Sequence, residues 1–168
     1  RASTTPQDPE TWFANNDCGM FLRTEVRDGR KEWVMMDADG PGAIVRIWSA
    51  NPEGNIRIYL DHNDTPVIAA RMSTFLSGKL HGIPDPISHE RSKGWNCYLP
   101  IPYARHCKVT SDKDGFYYHV NYRTYPAGTK VVTFSSRDLD TLGGEIRGVA
   151  ATLRDPRQAG LAEAEKLP

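Results

Sequence analysis

Met20-Phe21-Leu22-Arg23-Thr24-Glu25-Val26-Arg27-Asp28-Gly29-Arg30-Lys31-Glu32-Trp33-Val34-Met35-Met36 is the stretch that decides the fold class. On both sides of Asp28-Gly29 the side chains alternate in hydropathy with a period of two, the spacing at which a strand turns one face to a core. Asp-Gly is a strong hairpin signal, because both residues tolerate the positive φ of a turn that matches strand twist. The stretch predicts an antiparallel hairpin.

The same pattern recurs downstream. Gly40-Pro41-Gly42 breaks the chain, with Gly42 expected to hold a positive φ. Ala43 to Ser49 follows, placing Ile44, Arg46 and Trp48 on one face. Asn55 to Asp61 sets Ile56, Ile58 and Leu60 against Arg57 and Tyr59, and the polar tip His62-Asn63-Asp64 turns into Pro66 to Met72. Between Ser73 and Gly94 prolines and glycines leave room for no regular element beyond a short turn of helix. Connections of this length are often functional or cover a sheet. Strand patterning resumes at Trp95 to Leu99, breaks at Pro100 and Pro102, and continues from Cys107 to Thr110. Lys113-Asp114-Gly115 turns into the strongest strand, Phe116 to Tyr125, in which Tyr118, Val120 and Tyr122 oppose Tyr117, His119, Asn121 and Arg123. Lys130 to Phe134 is expected to close the β region.

The tail changes period. Ser135 or Ser136 can cap a helix in which Leu139, Leu142, Ile146, Val149 and Leu153 recur at three- and four-residue spacing, with Pro156 as its stop. Gly143, Gly144 and Gly148 weaken it by roughly 1 kcal/mol each against alanine, so it needs a surface to pack on. Short strands without alternating helices predict an all-β antiparallel sandwich, of jelly-roll type within that class, with a C-terminal helix. The expected division is a sandwich over 1–134 and a helical linker over 135–168, whose Ala- and Glu-rich end leads toward a second domain.

Composition bounds the function. The 168 residues are 39% hydrophobic and 25% charged, enough for one domain with a real core. Lys plus Arg and Asp plus Glu number 21 each, so the chain as a whole gives no electrostatic case for nucleic acid. No apolar run approaches the roughly 20 residues needed to span a bilayer. Three cysteines leave at least one unpaired; Cys97 and Cys107 could bridge neighbouring strands, but buried free thiols fit the pattern better.

Candidate chemistry is sparse. Asn15-Asn16-Asp17 follows Trp12-Phe13 in a polar loop. Amides and a carboxylate beside an indole suit sugar hydroxyls and a sugar ring face; an Asx-type turn leading into a strand explains the same residues. Asp37-Ala38-Asp39-Gly40 and Asp61-His62-Asn63-Asp64 have oxygen ligands at calcium-like spacing but read better as turns. Neither the histidines nor the cysteines have metal-site spacing, so no metal or cofactor is expected. Glu25 and Glu32 face each other across the first hairpin, where Arg23, Arg30 and Lys31 suggest a surface ion network. The chain holds no convincing catalytic pair.

From Gly40-Pro41-Gly42-Ala43-Ile44-Val45-Arg46-Ile47-Trp48 the sequence resembles the family catalogued as domain of unknown function 2961 and classed as glycoside hydrolase family 172. The likeness continues through Ile56 to Asp61, Gly94 to Tyr103 and Tyr117 to Tyr122, and includes Asn15-x-Asp17. The resemblance implies tandem jelly rolls assembled as trimers or hexamers, acting on α-linked D-fructofuranosides or D-arabinofuranosides through two glutamates of the second roll. This chain is therefore expected to be the first roll, cut near its start and after its linker helix, with the catalytic glutamates elsewhere. Carried over residue by residue, Asn15 and Asp17, with Trp12 beside them, would line the sugar pocket. Asn16 stands where relatives often carry a small residue, Arg123 is a further pocket candidate, and Arg46 and Trp48 would hold the core and its interface. The implied partners are a furanoside, a second jelly-roll domain and further copies of the chain, with no nucleic acid or membrane; the implied location is extracellular or periplasmic. The rival expectation is a non-catalytic assembly or carbohydrate-binding jelly roll.

Overall fold

The structure, a computed structural model, describes residues 19–155. Strands β1 (Arg23–Arg27) and β2 (Arg30–Asp39) form the expected hairpin, with Asp28 and Gly29 at φ of 50° and 75°. β3 (Gly42–Ser49), β4 (Asn55–Leu60) and β5 (Ile68–Arg71) follow. The four-residue helix α1 (Met72–Phe75), β6 (Ser88–Arg91), β7 (Gly94–Cys97), β8 (Ile101–Tyr103), β9 (His106–Ser111) and β10 (Tyr118–Thr124) complete the β region. They make two antiparallel sheets, β1-β2-β9-β4-β5 and β10-β3-β7-β6, with β8 also on β3. The chain crosses between sheets at β2–β3, β3–β4, β5–β6, β8–β9 and β9–β10, as a Greek-key sandwich does. The tail carries α2 (Asp138–Thr141) and α3 (Gly143–Arg154). The all-β antiparallel sandwich with a C-terminal helix is thus what forms.

Alternation puts Met36, Ile56, Ile58, Leu60, Cys107 and Val109 of the first sheet against Ile44, Ile47, Cys97 and Ile101 of the second. Each such burial contributes roughly 1.5–3 kcal/mol. Cys97 and Cys107 are free and buried, and burial pushes both thiols up to about 12, so they pack as small apolar residues.

Four local expectations need correction. Ile44 does not share a face with Arg46 and Trp48. A bulge at Val45, opposite the Asn121–Tyr122 step of β10, turns Ile44 inward with Ile47 and leaves Arg46 and Trp48 outside the core. The 73–94 connection is not free of regular structure. It supplies Phe75, Leu76, Ile83 and Ile87 to the core, and β6 pairs with β7 through a turn at Ser92-Lys93. Lys130 to Phe134 forms no strand; it is anchored by Phe134 N–H donating to Pro102 O (2.9 Å) and by the Thr133 hydroxyl. Gly42 lacks a positive φ; it is glycine because a Cβ there would lie 2.5 Å from Arg123 O and from the Tyr103 hydroxyl.

Neither Ser135 nor Ser136 caps the helix as expected: the N-cap of α2 is Arg137, without a side-chain cap, while Ser135 sits in the turn before it, its Oγ accepting from Arg137 N–H (3.3 Å) and its N–H donating to Asp138 (2.8 Å). Of the helical apolar residues, Leu139 and Ile146 pack on the core. Leu142, Val149 and Leu153 stay 48%, 53% and 54% exposed.

Candidate functional site

The first sheet has an unusual outer face. Glu32, Val34, Tyr59 and Thr110 are buried on it, although no second layer covers them among the described residues. Long side chains of the sheet itself do so: the Arg27 guanidinium lies 4.6 Å from the Tyr59 ring centre and Lys108 Nζ 5.8 Å from it. Glu32 accepts from the Tyr59 hydroxyl (3.1 Å to each oxygen) and from Thr110 Oγ1 (2.7 Å), and Arg57 Nη1 is 3.6 Å away. Glu25 does pair across the hairpin with Glu32 and does sit in an ion network, with Arg23 and Lys108. Glu32 departs from that expectation because the sheet buries it.

Where the edges of the two sheets part, a cleft of about 560 Å³ opens between Met20–Leu22, Met35–Asp37 and Tyr118–Tyr122. Its floor is aromatic: Phe21 stacks on Tyr118 (5.1 Å) and meets Phe116 edge-on (5.4 Å). The polar lining comes from Asp37, His119 and Asn121. The described chain enters on the rim, where Gly19 N–H donates to Phe116 O (3.1 Å) and the Tyr118 hydroxyl donates to Met20 O (2.8 Å). Gly19 lies two residues after Asp17.

From His119 and Asn121 the surface continues onto the outer face of the second sheet. His119 lies 5.1 Å from the Trp48 indole, and Arg46 donates to Asn96 Oδ1 (2.9 and 3.1 Å) and to Asn121 Oδ1 (3.4 Å). Tyr98 adds an exposed ring beneath Arg46, 5.8 Å from its guanidinium. Gly94 passes close under Trp48, where a Cβ would stand 3.0 Å from the indole nitrogen. Three stretches that are far apart in sequence, around Trp48, Asn96 and His119, are therefore neighbours in β3, β7 and β10.

Of the residues expected to touch ligand, Trp12, Asn15, Asn16 and Asp17 lie outside the described residues. Arg123 is exposed on β10, in the row of His119 and Asn121 but beyond the cleft lining, opposite Ala43. Arg46 and Trp48 are half-buried outside the core rather than within it. Sequence reasoning missed Asn96, Tyr98 and Asp37 as neighbours of this surface. The cross-strand register that joins them is not a local property.

The carboxylate that lines the cleft, Asp37, is committed to the fold, and so are Asp61, Glu25 and Asp112 elsewhere in the first sheet and its turns. Asp37 binds Arg23 and His106 Nε2 (2.6 Å), and the His106 ring stacks on His62 at 4.2 Å. Asp61, expected in a turn, has φ of 54° there and accepts from Arg105 N–H (2.7 Å), His106 N–H (3.2 Å) and the Thr133 hydroxyl. Lys108 holds the Glu25 carboxyl below the usual range. Burial acts to raise Asp37, Asp61 and Asp112, but their donors outweigh it and all three fall below the usual range: Arg23 and His106 for Asp37, Thr133 and two N–H groups for Asp61, Asn55 and Arg57 for Asp112. A carboxyl depressed in the folded state contributes stability above its unfolded pKa, near 4, and loses that contribution as pH falls through the lower folded value. The urea midpoint is thus expected to hold between about pH 7 and 5 and to fall below about pH 4, with Asp61→Asn showing a shallower fall.

The sequence matches the family model described as GH172 first beta-sandwich domain over residues 1–142. The chain belongs to glycoside hydrolase family 172. No curated protein matches it. The GH172 match ends at Leu142, the residue before α3 begins, so the sandwich and α2 fall within the matched domain while α3 follows it. Within the GH172 sandwich, the Gly40-Pro41-Gly42 turn owes its glycines to Tyr103, whose ring would lie 2.9 Å from a Cβ at Gly40.

Proposed function

We propose that the chain is the substrate-binding first sandwich of a hydrolase that cleaves α-linked D-fructofuranosides or D-arabinofuranosides. The observation that carries this reading is the matched family domain, together with an aromatic-floored cleft on whose rim Gly19 sits, two residues after Asp17 in the sequence. Trp12, Asn15, Asn16 and Asp17 grip the sugar, Phe21, Tyr118 and Tyr122 offer apolar faces, and Arg123 extends the contact along β10.

The catalytic carboxylates come from outside this chain. Glycoside hydrolysis uses two carboxyl groups roughly 5–10 Å apart on either side of the scissile bond. Asp37 is the one carboxylate among the described residues that line the cleft, and it is tied to Arg23 and His106. A second sandwich of the same enzyme supplies the pair. The exposed apolar side chains of Leu142, at the N-cap of α3, and of Val149 and Leu153 within it support a further packed domain. Assembly into trimers or hexamers and an extracellular or periplasmic location belong to the same proposal.

The test is Asp17→Ala in the polypeptide at its natural length. Turnover of nitrophenyl α-D-fructofuranoside and α-D-arabinofuranoside is expected to drop by at least roughly a hundredfold, with unchanged thermal unfolding, since one buried polar contact to a sugar hydroxyl discriminates strongly. Unchanged kinetics would remove the loop from the site.

A further inference from the structure

The chain's overall charge balance conceals a local asymmetry at one end of the first sheet. β2 joins β9 only from Trp33 onward, so Arg30, Lys31 and Glu32 project beyond the end of β9 with β1 as their sole strand partner. Trp33 lies opposite Ser111, whose other partner, Ile56, is in the core, so Trp33 and Lys31 face the core side of the projecting hairpin. Beneath that overhang a groove of about 540 Å³ runs to Gly54-Asn55, Arg71 and Asp112-Lys113.

Four cations line this groove and one anion does. The anion is already matched: Asp112 accepts from Asn55 N–H (2.8 Å) and Asn55 Nδ2 (2.7 Å), and Arg57 pairs with it at 3.4 Å. Arg30 is shared with Asp28 and Glu32. Lys31 is held over the Trp33 indole, 4.5 Å from its ring centre, so its ammonium is positioned without being neutralised. No described hydrogen bond or ion pair engages the charged ends of Arg71 and Lys113. Gly54, at φ of 63°, keeps the floor close, because a Cβ there would lie 2.4 Å from Asp112 Oδ1 and 2.5 Å from Lys113 Cγ. The result is a preformed positive groove bounded by an indole, with three cations that have no carboxylate partner among the described residues.

We propose that this groove binds an acidic saccharide, one carrying carboxylates or sulfates on its rings, at a site separate from the furanoside cleft. The family is a glycoside hydrolase family, which makes a saccharide the anion to consider. The groove would hold an acidic stretch of a polysaccharide while another stretch is worked on.

The probes are an oligogalacturonate, a sulfated dextran oligosaccharide, neutral dextran of the same length and a single-stranded oligonucleotide of the same charge. Each is titrated against the chain and its Arg71→Ala/Lys113→Ala double variant by calorimetry. The expected result is binding of the uronate or the sulfated probe, which identifies the acidic group. The neutral probe should not bind, and affinity should be roughly tenfold weaker in the double variant, as two exposed ion pairs allow, and weaker for all proteins at high salt. Lys31→Gln, which leaves both those residues in place, should also weaken binding. Both variants should unfold at the wild-type temperature. Equal affinity of wild type and both variants would overturn the proposal, as would binding of the neutral probe, or binding of the oligonucleotide as tightly as of the best saccharide. Asp17→Ala should leave this binding untouched, so failure here and failure of the furanosidase reading are separately visible.

Discussion

Glu32→Ala is expected to destabilise the domain by about 3–5 kcal/mol, the cost of removing one partner from a buried charged cluster. Glu32 is 1% exposed and serves four groups at once: the Tyr59 hydroxyl, the Thr110 hydroxyl, the Arg57 guanidinium and, more distantly, Arg30 (3.8 Å). Removing the carboxylate leaves the Nη1 of Arg57, which already lacks a hydrogen-bond partner, without the anion it faces, and Asp112 on Nη2 (3.4 Å) as the remaining partner of a mostly buried cation. Against a typical total stability of about 5–15 kcal/mol, this loss puts the variant at or near unfolding at 37 °C. Glu32→Gln keeps one oxygen for the two hydroxyls and should lose less. Urea titrations followed by tryptophan fluorescence separate the two. If both variants matched the wild type, Glu32 would not organise the outer face of the first sheet.

Gly42→Val should cost about 3 kcal/mol or more for a different reason. The new side chain would need the space of Arg123 O on one side and the Tyr103 ring on the other, each 2.5 or 2.6 Å from the Cβ position. Overpacking against a backbone carbonyl between paired strands has no cheap relaxation. Gly148→Ala is the matched control: nothing lies within 4 Å of a Cβ there, and alanine in place of glycine in α3 should raise stability by up to about 1 kcal/mol. Thermal unfolding of both variants checks the pair. A tolerated Gly42→Val would show that the approach of Tyr103 to the turn is not as close as described.

The hairpin β1–β2 was legible because Asp28-Gly29 is a local instruction and its flanks obey a period of two. β6 was not legible. Its inward residue is Ser88, whose single hydroxyl proton has Phe75 O (2.7 Å) and Asn96 O (2.9 Å) within hydrogen-bonding distance, so no hydropathy alternation announces it. The bulge at Val45 has the same lesson in another form: one inserted residue reverses which neighbours of Ile44 share its face, and only the partner strand reveals it. Lys130 to Phe134 is β-branched and apolar like a strand but pairs with no strand among the described residues. Burial of Glu32 depends on β2, β4 and β9 being neighbours, a long-range fact that leaves no trace in the local sequence. The candidate surface divides the same way. The stretches around Trp48, Asn96 and His119 carried the family resemblance one by one, while their meeting on one sheet came only from the register.

In the proposed function this sandwich binds substrate and the catalytic carboxylates lie outside it. The most direct test is turnover of nitrophenyl α-D-fructofuranoside and α-D-arabinofuranoside by the 168-residue chain alone, beside the polypeptide at its natural length. Hydrolysis by the latter is expected, and none above buffer by the former. Hydrolysis by the 168-residue chain alone would contradict the proposed function.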